Sequence, residues 1–153
     1  MIWRLRSGHP ASYTSDMILK KPDSVENKPV AMAGAQNVCM QLLCGPDDGC
    51  PNFAMRKFTV APGGCTPRHQ HDYEHEVYIL AGEGVVFGNG KEQRIKAGDS
   101  MYVPANEVHQ FRNDAAAGAG SLEFLCLVPA LVHKPGAPQP IMVDCAVEAV
   151  PAR

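Results

Sequence analysis

Gly63–Gly82 reads GGCTPRHQHDYEHEVYILAG and contains three of the chain's six histidines, His69, His71 and His75. A Gly-Gly pair precedes them. The run that follows, HEVYILA at 75–81, is rich in the β-branched and aromatic residues of a strand. Strand side chains alternate between faces, so residues of equal parity share one. His69, His71 and His75 are all odd, Val77 and Ile79 continue their face, and Glu74 and Glu76 fall on the other. Imidazoles at i and i+2 make a natural chelate. The third lies four residues on, about 13 Å away along an ideal strand, so it reaches the same metal only if Asp72-Tyr73-Glu74 bends the chain. A second strand supplies a fourth imidazole, His109. A lone histidine on an apolar face is ordinarily a hydrogen-bonded core residue. Four together point instead to a metal, either structural and closed or catalytic with open positions.

Outward from this stretch the chain reads as short strands separated by turn signals, the pattern of a sandwich or barrel. Expected strands are Val38–Leu43, Phe53–Val60, His75–Ala81, Val85–Phe87, Lys91–Ile95, Met101–Val103, Val108–Arg112 and Leu122–Val128, with Met17–Leu19 as a further short one. Gly88-Asn89-Gly90 is a hairpin signal. Residues 44–52, 61–64, 97–99 and 113–120 read as turns or loops. Leu122–Val128 is almost wholly apolar, which predicts burial on both faces or against a partner. The expected organisation is an N-terminal arm over 1–35, a β-barrel domain over 36–131 and a proline-rich C-terminal tail over 132–153.

Composition excludes several classes. A length of 153 residues gives one domain, and 14 glycines with 13 prolines favour an all-β, turn-rich chain. A net charge of −2, with lysines and arginines scattered, leaves no footprint for nucleic acid or an anionic membrane. No apolar run reaches the roughly 18 residues of a span, and the N-terminus lacks a signal-peptide core, so a cytoplasmic protein is expected. The six cysteines, without CxxC spacing, are expected as reduced thiols. His9 and His133 are expected as surface residues.

The spacing of the key residues resembles the cupin superfamily. Gly63, His69-Gln70-His71, His75 and Gly82 resemble its first motif, and Gly98, Pro104, Asn106, His109 and Asn113 its second. The chain departs from the usual pattern at His75, where most members carry a glutamate ligand. It departs again at Asn106, which replaces a glycine and can also adopt positive φ. The longer pattern PNFAMRKFTVAPGG…RHQH…EHEVYIL…FRND…EFLCLVP resembles small homodimeric bacterial cupins with a four-histidine site, often holding manganese. The resemblance implies a double-stranded β-helix (jelly-roll) barrel, metal ligands His69, His71, His75 and His109, and a homodimer. It also implies that Phe124 and Cys126 lie at the cavity. Phe111 shares a face with His109, and Arg56 is a candidate anion contact on the strand of Phe58 and Val60.

Imidazole donors accept manganese, iron, zinc, nickel or copper, so the residues leave the divalent metal open, with manganese favoured by the resemblance. Unprotonated ligands are needed, and ordinary histidines predict metal loss as pH falls through roughly 6–5. No other catalytic set presents itself: there is no GxSxG and no phosphate loop. The expected function is a dioxygenase-type oxidoreductase acting on a small organic molecule with O₂ or peroxide. A non-catalytic metal-dependent binding or sensor module is the alternative, and a sugar or keto-acid isomerase a third.

Overall fold

The computed structural model of the chain describes residues 16–137 and 139–143. Its strands are β1 (Lys28–Pro29), β2 (Gln36–Cys44), β3 (Phe53–Cys65), β4 (His69–Gln70), β5 (His75–Ala81), β6 (Glu83–Gly88), β7 (Lys91–Lys96), β8 (Ser100–Val103), β9 (Gln110–Arg112), β10 (Leu122–Pro129) and β11 (Ile141–Met142). Among the described residues, helix is confined to three short 3₁₀ turns, at Pro22–Ser24, Pro46–Asp48 and Ala130–His133. The architecture is all-β, as composition and patterning predict.

One sheet curls through the order β7-β6-β9-β3-β10-β5-β8, with β2 also paired to β3 and β1 to β2. A second, two-stranded sheet joins β11 to β4. The long strand β3 organises the curl. Over Phe53–Val60 it pairs with β10 and β2, and at Cys65 it pairs with Arg112 of β9. Residues 61–64, expected as a turn, therefore lie inside the strand. Gly63, at φ 74°, gives the bend by which β3 passes from one part of the sheet to the other without ending. The register with β2 shifts at the same place, between Gln36 and Val38.

Alternation on β5 follows the parity reading: His75, Val77 and Ile79 are buried, while Glu76, Tyr78 and Leu80 are exposed. β10 alternates too. Leu122, Phe124, Cys126 and Val128 are buried, whereas Leu125 and Leu127 face outward and are half-buried, so the expectation of burial on both faces does not hold in the single chain. The core is built from Val60, Ile79, Leu122, Phe124 and Val128. Met17–Leu19 forms no strand and is exposed, because no neighbouring edge receives it. The strand expected over Val108–Arg112 is trimmed to Gln110–Arg112. Gln93 and Arg94 of β7 lie opposite Val86 and Val85 of β6, on the hairpin closed by Asn89-Gly90.

Candidate metal centre

Four local devices bring the histidines together. β4 carries His69. The chain then leaves the strand over residues 71–74 and resumes as β5 at His75, which is the bend that the 13 Å spacing on an ideal strand requires. His109 precedes β9 and is bridged to His69 by reciprocal backbone bonds of 3.2 and 3.0 Å. Asn106, at φ 66°, turns the chain ahead of His109, and its N–H donates to the His71 carbonyl at 2.7 Å. Asn113, fully buried, donates its side-chain amide to the carbonyls of Val60 (3.0 Å) and Gly120 (3.1 Å), pinning the far end of β9.

One donor nitrogen from each of His69, His71, His75 and His109 falls within 4.8 Å of all the others. His71, His75 and His109 are buried and His69 is half-buried. Three of the rings are tied back through Nδ1, which donates to the carbonyl of Pro67 (2.9 Å, from His69), Tyr73 (2.7 Å, from His71) or Glu107 (2.8 Å, from His109). Each such bond leaves the Nε2 lone pair free to ligate. The Nε2 atoms of His71 and His75 approach to 2.6 Å. Two lone pairs facing each other at that distance repel unless a proton or a cation lies between them. The Tyr73 ring stacks on His71 at 3.7 Å with 3° between planes, fixing its orientation.

Electrostatics keep these rings neutral. Burial, then neighbouring His69, pushes His71 down to about 4. Burial pushes His109 down to about 3, and it lowers His69 and, most strongly, His75. The Arg56 guanidinium adds to the downward shift of all four. Neutral, inward-pointing imidazoles without a carboxylate are a donor set that fits a divalent transition metal.

Three of the four histidines, His69, His75 and His109, line a cavity of about 80 Å³. Phe111, Phe124 and Cys126 line it, and so does Arg56. Phe124 stacks between Phe58 (5.1 Å) and Phe111 (4.6 Å), and the Arg56 guanidinium lies 5.2 Å from the Phe58 ring centre. Sequence reasoning missed the rim. Val30 and Met32, just after β1, close one side, and Pro140, just before β11, closes another. β11 pairs Met142 with His69 itself. The residues read as arm and tail thus meet at the site, through hydrogen bonds between distant segments that no local pattern announces. A second cavity, of about 280 Å³, opens between β6, β7 and β8 and touches the cluster at His109.

His133 sits in a 3₁₀ turn, half-buried, and burial lowers its basicity, so it is not the surface residue expected. Cys39, Cys44, Cys50 and Cys126 are thiols, and the Cys65 thiol donates to Gly34 O at 3.5 Å. His9 and Cys145 lie outside the described residues. No helix among the described residues is long and apolar enough to cross a membrane.

A family model described as a cupin domain matches residues 56–128. The oxalate-binding protein of Thermotoga maritima is 42% identical over 77 residues, covering 50% of this chain and 60% of that one. The chain therefore spans less than two thirds of that curated relative. Among solved structures, the polyketide cyclase RemF from Streptomyces resistomycificus superposes with a TM-score of 0.74 at 25% identity, over 86% of this chain and 89% of that one. A predicted oxalate decarboxylase from Thermotoga maritima superposes with a TM-score of 0.64 at 30% identity, over 74% of this chain and all of the other. With the domain match over both histidine motifs and a curled sheet closing on the histidines, the chain belongs to the cupin family.

Proposed function

We propose that the chain is a metal-dependent oxidoreductase of the dioxygenase type, acting on a small organic anion with O₂ or peroxide as co-substrate. The observation that carries this reading is a four-imidazole donor set, without a carboxylate, beneath a small aromatic cavity where Arg56 is, among the described residues, the one guanidinium or ammonium in the lining. His69, His71, His75 and His109 would hold the metal, which supplies Lewis acidity and, for a redox-active ion, electron transfer to oxygen. Manganese remains the favoured ion, with iron, zinc, nickel and copper compatible with the donors. Four neutral ligands leave the ion's charge uncompensated by protein. Arg56 adds to that charge, so the cavity favours an anionic substrate. The Arg56 guanidinium would bind the substrate's carboxylate or other anionic group, and Phe58, Phe111 and Phe124 would flank its apolar part and exclude water. A cytoplasmic setting is in keeping with the thiols of Cys39, Cys44, Cys50 and Cys126.

A second reading is a non-catalytic binding module for a small oxyanion. Its support is the cavity's size, about 80 Å³ and so room for two to three waters' volume, together with the name of the Thermotoga maritima oxalate-binding relative. The isomerase reading needs a general base beside the substrate, and neither Glu74 nor Glu76 lines the cavity. Oxygen uptake by manganese- or iron-loaded protein over a panel of small carboxylates separates the first two. The enzyme reading expects substrate-dependent O₂ consumption that His75→Ala abolishes and Arg56→Met weakens through KM. Tight oxalate binding by calorimetry with no turnover on any member of the panel would establish the binding module instead.

A further inference from the structure

The four rings of the cluster are not held alike. His69, His71 and His109 each anchor Nδ1 on a backbone carbonyl, which can only accept. His75 has no such carbonyl. Its Nδ1 lies 3.3 Å from Cys126 Sγ and 3.3 Å from Arg56 Nη2, and that same Arg56 nitrogen is 3.0 Å from the sulfur. The three groups form a triangle at Nδ1, while the other ring nitrogen, Nε2, meets His71.

Only one arrangement of protons in this triangle leaves His75 able to ligate through Nε2. Arginine nitrogens donate and never accept. If Arg56 donates to Nδ1, that nitrogen carries the lone pair, the ring proton moves to Nε2, and the atom facing His71 can no longer coordinate. If Nδ1 carries the proton, it needs an acceptor, and Cys126 Sγ is the one within reach. Arg56 then donates to the sulfur, at the shorter of its two distances. A charged donor fixed on the sulfur orients it and engages the guanidinium that would otherwise compete for Nδ1. The pairing is built into the sheet, since Arg56 of β3 and Cys126 of β10 are directly paired across the ladder, and Cys126 is paired to Val77, two residues from His75.

We propose that Cys126, with Arg56 donating to its sulfur, is a positioning residue that selects the Nδ1–H tautomer of His75 and so completes the fourth ligand of the site. This rests on the reading of the four histidines as a metal centre. It gives Arg56 two opposed effects: beside Cys126 it supports the ligand, and without Cys126 it turns His75 away from the metal. It also assigns the sulfur a role that a plain core residue would not have, because an apolar side chain of similar size would fill the space and leave Nδ1–H without an acceptor.

The test uses Co(II) as the probe ion, with affinity from chelator competition and coordination from the ligand-field spectrum. Cys126→Ala is expected to weaken Co(II) binding about 10- to 100-fold, the usual effect of losing an outer-shell partner, and to shift the spectrum. Cys126→Ser, which keeps an acceptor, is expected to recover most of the affinity. The double variant Arg56→Met/Cys126→Ala is expected to bind Co(II) more tightly than Cys126→Ala alone, a non-additivity that a packing defect would not produce. Equal affinity and an unchanged spectrum in Cys126→Ala would overturn the proposal, as would a double variant no better than the single. Long-range ¹H–¹⁵N correlation spectra of the wild-type chain loaded with diamagnetic Zn(II) give a measurement that requires no variant to fold. Zinc on His75 Nε2 with a proton on Nδ1 supports the proposal, and zinc on Nδ1, or His75 unligated with its proton on Nε2, overturns it. If the wild-type chain binds neither Co(II) nor Zn(II), the metal-centre reading itself fails and the proposal with it, an outcome distinct from a bound metal that leaves His75 out.

Discussion

At the scale of single residues, burial decides how the site meets protons. Ordinary histidines predict metal loss through roughly pH 6–5, but burial lowers His71 to about 4 and His109 to about 3, with His75 and His69 also lowered. Protons therefore compete with the metal only under more acidic conditions, and a titration by metal-sensitive absorbance is expected to show retention down to about pH 4. Loss near pH 6 would mean that the rings are solvated. The same shifts set the metal-free stability. The unfolded chain takes up protons near pH 6.5 and the folded chain only near 4 at His71, so the unfolded state binds more protons between those values. Stability is then fully present above about pH 6.5 and falls as the pH drops toward 4, and thermal melts across that range are expected to show it. Phe124, stacked between Phe58 and Phe111 and almost fully buried, carries the cavity wall. Phe124→Ala is expected to cost about 3–5 kcal/mol in chemical denaturation.

Between elements, the site depends on where strands are allowed to break. β5 and β6 are separated by Gly82 alone, at φ 75°, and its Cα packs against the backbone of Ser121 and Leu122. A Cβ there would collide with the Ser121 carbonyl, so Gly82→Ala combines a left-handed backbone with a backbone clash. It is expected to destabilise by at least about 1–3 kcal/mol, and a melting temperature equal to wild type would contradict the tight approach. Such features explain how much was legible in the sequence. Parity on a strand separates His75 from Glu76, and that follows from a two-residue period that holds in any sheet. The bend between His71 and His75 was readable because a straight strand could not span the distance. The passage of β3 through residues 61–64 was not, because Ala-Pro-Gly-Gly has the composition of a turn and the neighbouring strands alone decide that it continues. Arg56 and Phe111 could be placed by parity, while Cys126 was placed by resemblance. Val30, Met32 and Pro140 reach the rim only through the pairings of β1 and β11, which join segments far apart in the chain.

For the molecule as a whole, one outer face exposes large apolar side chains around Glu76. Tyr78, Leu80 and Tyr102 are 47, 40 and 64% exposed, and Leu125 and Leu127 of the adjoining strand share their side of the sheet. Such a patch on a small domain favours a partner, and the homodimer expected from the sequence would cover it. Light scattering on an eluting peak is expected to give about twice the 16.5 kDa of the chain. Leu125→Glu/Leu127→Glu is expected to return it to one chain's mass without loss of metal, since both side chains point away from the histidines. A wild-type species of 16.5 kDa would refute the dimer.

The account as a whole turns on whether His69, His71, His75 and His109 hold one ion, and elemental analysis tests that most directly. After loading with Mn(II) and exhaustive dialysis, the wild-type chain is expected to retain about one metal per chain, and His75→Ala/His109→Ala about none, with the fold of both checked by circular dichroism. Retention of the same metal by the folded double variant, or none by the wild-type chain, would contradict the four-histidine centre.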